Sequence, residues 1–314
     1  VFFVVSVSTD GCVAAARRLG VVVVDLDMSV PFTAARARNA GWRRLVEHQP
    51  GISLVQFVDG DCELEPGWLE AGVSALSSRL RIAVAFGRCR ERDREASVYN
   101  RLCDLEWDVP EGFAEACGGN AMMRLDALQM VDGFDPGLIA GEEPDLCHRM
   151  AELGWKVLSL PVPMVQHDAD LRRFGQWWRR SVRAGYVGAE GVARLGRAYP
   201  RIRHTVGVVI WATLPVLFAA MGMLAWGLGA AVWLVVTLAV SGLVSIYALL
   251  WLRIRLAAAR RWAARDAAIY ATFCVLAKWP GLQGMLIFWW RSWRGRRGTL
   301  IEYKDPPPPT SAAN

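Results

Sequence analysis

Short runs of Val, Ile, Leu and Phe recur through residues 1–86, and stretches of helical periodicity separate them. The pattern predicts a strand over Val1–Val7, a short helix over Cys12–Leu19 and a second strand over Val21–Leu26. A longer helix rich in Ala and Arg follows at Thr33–His48, and a third strand, Ile52–Val58, runs into Asp59. Pro66–Leu80 reads as a helix opened by its proline, and Ile82–Phe86 as a further strand. Lys156–Leu160 reads as another strand, followed by two prolines. Strand–helix–strand alternation at this spacing predicts an α/β domain with a parallel sheet and crossover helices. There are no internal repeats. The opening run lacks a basic flank and a cleavage site, so it reads as a buried strand and not a signal peptide. Because the first residue is Val, the natural N-terminus is expected upstream.

The apolar pattern changes in kind after residue 205. Val206–Leu252 contains no charged residue. This run fits two membrane helices of about 20 residues each, near 206–226 and 230–252, with Gly227 and Gly229 at the turn. A pair of buried core helices is the alternative, but uncharged runs of this length have few soluble uses. A third apolar stretch, 267–290, is interrupted by Lys278, Pro280 and Gly281. Arginines flank the runs at 194–203, 253–265 and 291–297, while the turn near 227–230 carries none. The positive-inside rule puts all three clusters in the cytoplasm, which requires an even number of crossings. The third stretch is therefore expected to be re-entrant or interfacial. The organisation expected is an α/β domain over 1–190, a basic juxtamembrane linker over 191–205 and a transmembrane hairpin over 206–252. A basic amphipathic segment over 253–304 and a disordered Pro-rich tail over 305–314 complete it.

Charge supports this division. Residues 1–190 carry 21 Lys/Arg and 27 Asp/Glu, whereas 191–314 carry 15 and three. The basic residues flank apolar runs, which favours a membrane surface over nucleic acid. Mean hydropathy is +0.23, high for a soluble chain. The seven cysteines are scattered without a C-x-x-C pair, so neither a disulfide framework nor a zinc site is expected, and a reducing compartment is the simpler reading.

Candidate chemistry lies in the acidic half. Asp59-Gly60-Asp61 stands just past the third strand, at the edge where open α/β sheets bind ligands. Such a pair suits a hard divalent cation bridging to phosphates, but it also suits an ordinary acidic turn. Gly141-Glu142-Glu143-Pro144-Asp145 places three carboxylates in four positions, enough to raise a pKa and tune a base. The same residues fit a helix N-terminus, where acids complement the dipole. Gly118-Gly119-Asn120 permits close backbone approach to a ligand or forms a simple turn. His167 is either a third metal ligand or an exposed loop residue. Gln176-Trp177-Trp178-Arg179-Arg180 on a basic helix suits a membrane interface or a diphosphate.

In order along the chain, these motifs resemble family 2 glycosyltransferases of the GT-A fold, a Rossmann-like nucleotide-diphospho-sugar transferase fold, over about residues 5–185. Ser8-Thr9-Asp10-Gly11, Ala35-Arg36-Ala37-Arg38-Asn39-Ala40-Gly41, Asp59-Gly60-Asp61, Gly133-Phe134-Asp135, Glu142-Glu143 and Gln176 to Arg179 carry the resemblance. It implies that Glu143, with Glu142 beside it, is the catalytic base. It implies nucleotide-sugar contacts from Ser8, Asp10, Arg38, Asn39, Asp59, Gly119, Asn120, Gln176 and Arg179. Asp61, Asp59 and His167 would hold Mg2+ or Mn2+. The sequence departs from the pattern at the strand before Ser8, which lacks the usual Asp, at Glu143, where Asp is usual, and at Arg180, where Trp is usual. The family's first strand would lie upstream of Val1. The activity implied is inverting transfer from a nucleotide sugar, with a UDP-sugar favoured, to a lipid-linked or saccharide acceptor in envelope polysaccharide synthesis. The enzyme would sit in the inner membrane among its lipids, with the catalytic domain cytoplasmic and no nucleic-acid partner. The rival readings are a nucleotidyltransferase on a related fold and a catalytically impaired sugar- or lipid-binding membrane protein.

Overall fold

The computed structural model describes residues 1–6, 11–79, 81–229 and 231–295. Ser8 and Asp10, the arginines at 296 and 297 and the Pro-rich tail lie outside the described residues. The chain forms two compact units. Among the described residues, the first holds 1–93 and 106–170, and the second 94–105 and 171–295.

In the first unit, β1 (Phe2–Val5) and β2 (Val22–Asp25) pair in parallel, joined through α1 (Cys12–Arg18). Helix α2 (Ala34–His48) begins where the Thr33 hydroxyl accepts from the Arg36 amide at 3.1 Å, a side-chain N-cap. Its buried side presents Ala35, Asn39 and Trp42. A second sheet contains β3 (Leu54–Phe57), β4 (Cys62–Leu64), β5 (Ile82–Glu91), β6 (Gly112–Ala114), β7 (Ala121–Arg124) and β8 (Lys156–His167). Its order is β3-β7-β5-β8-β4, with β6 also on β8.

This sheet corrects the expectation of an all-parallel arrangement. Only β5 and β8 run parallel; β3/β7, β5/β7, β4/β8 and β6/β8 are antiparallel. β7 comes from distant sequence and inserts between β3 and β5, a pairing that local periodicity does not encode. The strand at Lys156 also runs on past its prolines to His167. Phe86 pairs with Ser159 and Arg88 with Pro163, so a bulge absorbs Pro161, whose missing N–H would otherwise break the ladder.

Helix α3 (Trp68–Ser78) starts after Gly67, so Pro66 stands outside it and not in its first turn. Its Trp68 is fully buried and donates its indole N–H to Gln56 Oε1 at 2.8 Å. Trp68, Leu76, Val84, Met123, Leu146 and Val165 share one core between sheet and helices. Each such side chain contributes about 1.5–3 kcal/mol on burial. Short α5 (Leu125–Met130) and α6 (Glu142–Glu152) complete this unit.

The second unit contains α4 (Val98–Glu106), α7 (Phe174–Leu195), α8 (Ile202–Gly227), α9 (Val232–Ala258), α10 (Ala264–Leu276) and α11 (Lys278–Trp293). The first boundary therefore falls near residue 170, ahead of the expected 190, and residues 94–105 leave the α/β unit. The reason is chemical. Asp266 on α10 is buried and accepts from Arg94 at 2.8 Å and Arg101 at 2.5 Å, and Phe273 packs edge-on against Tyr99 and Trp177.

Among the described residues, three helical stretches are long and apolar enough to cross a membrane: Ile202–Gly227, Val232–Ala258 and Ala264–Trp293. The first two form an antiparallel hairpin. Tyr247 donates its hydroxyl to the Trp211 carbonyl, and Phe218 packs on Gly242. Their outer faces leave Val216, Leu224 and Trp233 more than 60% exposed, an apolar surface of the kind that a lipid bilayer covers. The third stretch is the least apolar and the most covered by protein. It breaks at Ala277 because Pro280 offers no N–H to the Leu276 carbonyl four residues back. Helices α7 and α11 cross so closely that a Cβ on Gly185 would strike the Gly281 backbone, and one on Gly284 the Val182 carbonyl.

Candidate active site

Four segments of the first unit converge past the end of β3. The loop after β3 supplies Asp59 and Asp61 and leads into Cys62 at the start of β4, and α2 supplies Arg38. The N-terminus of α6 supplies Glu142 and Glu143, and the turn before β7 supplies Gly119 and Asn120. Arg38 is the hub. Its guanidinium meets Asp59 at 2.8 Å, Glu142 at 2.6 Å and Glu143 at 3.0 Å. One cation thus serves three carboxylates, which leaves the group net negative. Burial on its own would lower the Arg38 pKa, but the charges of Glu143, Asp59 and Glu142 hold it above its ordinary value.

The two glutamates are not equivalent. Glu142 keeps 5% of its side chain accessible and Glu143 15%. Burial, partly opposed by Arg38 and reinforced by Glu142, pushes Glu143 up to about 7. The acids also occupy the first turn of α6, where they complement the helix dipole. The raised Glu143 pKa and the helix N-terminus thus coexist in this cluster. Asp145 has a different task. It receives Arg149 at 2.8 Å, and Arg149 also donates to the carbonyls of Val131 at 2.6 Å and Gly133 at 2.9 Å. This clips α6 to the Gly133-Phe134-Asp135 turn.

Asn120 ties Arg38's carboxylates to a second cluster. Its Oδ1 accepts from the Asp59 amide at 2.8 Å, and its Nδ2 faces Asp59 Oδ2 at 3.5 Å and Cys62 Sγ at 3.3 Å. Gly119 allows this closeness, because a Cβ there would collide with the Asp59 carboxylate and the Arg38 guanidinium. Beyond Asn120, Asp61, Cys62 and His167 each bring a ligand atom within 4.8 Å of the others. Strand pairing builds this group: β4 runs antiparallel to β8 with Cys62 opposite His167. His167 Nε2 lies 3.4 Å from Asp61 Oδ2, its ring packs edge-on against Trp107, and its buried Nδ1 has no hydrogen-bond partner.

The donor set suits a divalent cation of the Mn2+ or Mg2+ kind. The Asp61 carboxylate suits either ion, the His167 imidazole is better matched to a transition metal than to Mg2+, and substrate oxygens would fill the remaining positions. Cys62 is the weaker third ligand. Burial, then the charges of Asp61 and Asp59, drive its thiol far above its ordinary pKa when no cation is bound, and a thiol ligates metal as the thiolate.

Of the residues expected from sequence, Arg38, Asp59, Glu142, Glu143, Gly119 and Asn120 meet in one cluster, with Asp61 and His167 in the adjoining one. Asn39 does not face either. It is buried, donates to the Phe134 carbonyl at 2.7 Å and accepts from the Phe134 amide and the Trp42 indole, both at 3.0 Å. It holds the Gly133-Phe134 turn. Gln176 is buried at the start of α7 in the second unit, where its Oε1 accepts from the amides of Arg172 and Arg173 at 2.8 and 2.9 Å. It caps that helix, and Arg179 lies exposed one turn later. Cys62 and the Asp145–Arg149 clip were missed. The adjacency of Cys62 to Asp61 was a signal for the first; the i, i+4 spacing of acid and arginine on α6 was a signal for the second. The Cys117 and Cys147 sulfurs meet at 3.8 Å behind the site.

No protein-family profile matches the chain. Pre-mycofactocin glycosyltransferase from Mycobacterium tuberculosis, in strains CDC 1551 and H37Rv, is 28% identical over 144 residues, which is 43% of this chain and 30% of that protein. The chain thus spans under a third of the length of the curated relatives it matches. Among solved structures, the mannosyltransferase PcManGT from Pyrobaculum calidifontis, in complex with GDP-Man and Mn2+, superposes with a TM-score of 0.52 at 19% identity. That match covers 90% of this chain and 77% of the other. S. aureus TarS 1–349 matches at a TM-score of 0.42 and 16% identity, over 86% of this chain and 79% of that one. The mixed sheet flanked by helices is that of the GT-A nucleotide-sugar transferase fold.

Proposed function

We propose that the chain is a membrane-associated, divalent-metal-dependent glycosyltransferase that moves a sugar from a nucleotide-diphospho-sugar to a hydroxyl acceptor with inversion. One observation carries this reading: on a GT-A-type fold, Asn120 joins an Arg38-bridged carboxylate cluster to an Asp61–His167 pair able to hold a cation. The likeness to PcManGT, solved with GDP-Man and Mn2+, and to the pre-mycofactocin glycosyltransferase supports it.

Of the two glutamates, Glu143 is the better base. It is the more accessible, and a pKa near 7 matches a base working at neutral pH. Its carboxylate takes the acceptor hydroxyl proton as that oxygen bonds to the anomeric carbon. The bond from that carbon to the diphosphate oxygen breaks on the opposite face, and the nucleoside diphosphate leaves with the electron pair. Glu142 and Asp59 hold Arg38 and so set the field at Glu143. A cation on Asp61 and His167 would offset the charge building on the diphosphate. Around this cluster an anionic diphosphate needs such a counter-charge, because one guanidinium does not balance four carboxylates.

The donor is proposed as a UDP-sugar, and the acceptor as a lipid-linked saccharide or polysaccharide. Candidate membrane helices on the same chain keep the enzyme at the bilayer, where a lipid-borne acceptor has a raised effective concentration. Ser8, Asp10, Gln176 and Arg179 keep their proposed donor roles on the resemblance alone. Native membranes containing the chain, incubated with Mn2+ and a panel of radiolabelled nucleotide sugars, test the proposal. Transfer to lipid-extractable or polymeric product is expected for the parent chain and not for Glu143→Gln or Asp61→Ala. Undiminished transfer by Glu143→Gln would remove it as the base. Metal-independent transfer by Asp61→Ala would remove the cation.

A further inference from the structure

The arginine-bearing end of the α8–α9 hairpin holds a pocket of about 390 Å3. This lies within the range of small-ligand sites, about 300–1,000 Å3. Trp211 of α8, Leu250 and Arg253 of α9, Arg261 and Trp262 of the next turn and Tyr270 of α10 line it. All belong to the second unit.

The walls of this pocket change character along its depth. Arg253 is the first charged residue after the uncharged run Val206–Leu252. Trp211 bonds through its carbonyl to Tyr247, six positions before Arg253 on α9, so it lies about 9 Å deeper along the helix axis. The deep wall is therefore Trp211 and Leu250, at hydrocarbon level. The shallow wall is Arg253 and Arg261, at the level where headgroups lie. Trp262 and Tyr270 pack edge-on with ring centroids 5.0 Å apart, and the Arg261 guanidinium stands 5.2 Å over the Trp262 ring. Tryptophan and tyrosine are enriched at this depth of a bilayer. Among the described residues lining the pocket there is no carboxylate.

We propose that this pocket binds an anionic membrane lipid. Arg253 and Arg261 meet its phosphate, Trp262 and Tyr270 border the headgroup, and Trp211 and Leu250 receive the first part of its acyl chains. Arginine suits the phosphate because its planar fork donates two parallel hydrogen bonds. Free phosphate would use only the shallow wall; a lipid uses both. The inference rests on the membrane placement of α8 and α9 and is independent of the transferase reading.

The test is native mass spectrometry of the full-length protein in uncharged detergent, titrated with phosphatidylglycerol, with phosphatidylcholine and with inorganic phosphate. Phosphatidylglycerol is expected to bind at least about tenfold more tightly than phosphatidylcholine. The exposed pair Arg253→Gln/Arg261→Gln should lose at least about a hundredfold in phosphatidylglycerol affinity, at roughly tenfold or more per charge-assisted hydrogen bond. Ala257→Trp, which fills the pocket without changing charge, should weaken binding as well. The control pair Arg255→Gln/Arg294→Gln, with the same charge loss outside the pocket, should lose no more than the diffuse-surface share, about thirtyfold at most. Equal losses in the two pairs would reduce the effect to a diffuse basic surface and overturn the proposal. Equal binding of phosphatidylcholine, or displacement of phosphatidylglycerol by inorganic phosphate, would overturn it too.

Discussion

Arg38→Met removes one guanidinium from among three carboxylates, and the structure sets the size of the effect. Glu142 and Glu143, at 2.6 and 3.0 Å, are 5% and 15% exposed. Removing one partner of a buried ion pair costs about 3–5 kcal/mol, because the charge left behind stays desolvated. Asp59 at 2.8 Å is 38% exposed, so solvent screening holds its share to about 0–1 kcal/mol. Methionine keeps the apolar stem near the Phe134 ring, over which the guanidinium now sits at 5.6 Å. The loss is then roughly 3–5 kcal/mol, and at about 2–4 °C per kcal/mol for a domain of this size the midpoint falls by roughly 6–20 °C. Thermal unfolding of the detergent-solubilised chain by intrinsic fluorescence at pH 8 reads this directly. The pH dependence has a definite sign. Burial already holds Glu143 at about 7 against an ordinary 4.5, so the folded state keeps its proton where the unfolded chain has lost it. That contribution favours folding most below 4.5 and is lost as pH rises toward 7. Without Arg38 the loss deepens, so the gap between variant and parent should widen from pH 5 to pH 8. A fall of less than about 3 °C at pH 8, or a gap that ignores pH, would refute the buried-hub account.

Other outcomes follow from the same geometry. Glu143→Gln should lower transfer by about 10²–10⁴-fold and abolish the rising limb of the pH–rate profile near pH 7, measured with a fixed nucleotide sugar. Asp61→Ala and His167→Ala should each weaken Mn2+ binding, followed by electron paramagnetic resonance. Asn39→Ala leaves the Phe134 amide and carbonyl and the Trp42 indole without partners. Thermal unfolding should show a loss of about 1–3 kcal/mol or more, with the pH–rate limb of the residual activity unmoved. Gly284→Leu forces α11 away from the Val182 carbonyl on α7 and should lower the unfolding midpoint, whereas Gly207→Leu on α8, where nothing lies within 4 Å of a Cβ, should cost far less.

Much of this protein is written locally. The uncharged run Val206–Leu252 by itself specifies an apolar hairpin, because no other environment accepts so long a stretch without charge. The motif order through Asp59-Gly60-Asp61 and Glu142-Glu143 pointed to the right fold and to the cluster around Arg38, since each motif sits where a strand ends or a helix begins. Tertiary structure alone decided how those residues divide the work. Asn39 and Arg38 are neighbours in one motif, yet α2 turns Asn39 into the core and Arg38 toward the carboxylates, because successive helical positions point about 100° apart. Non-local pairing set the sheet: β7 inserted between β3 and β5, and β8 carried His167 past two prolines to face Cys62. Contacts between residues a hundred positions apart depend on how strands order themselves in space, and the spacing of hydrophobic residues along the chain holds no record of that order.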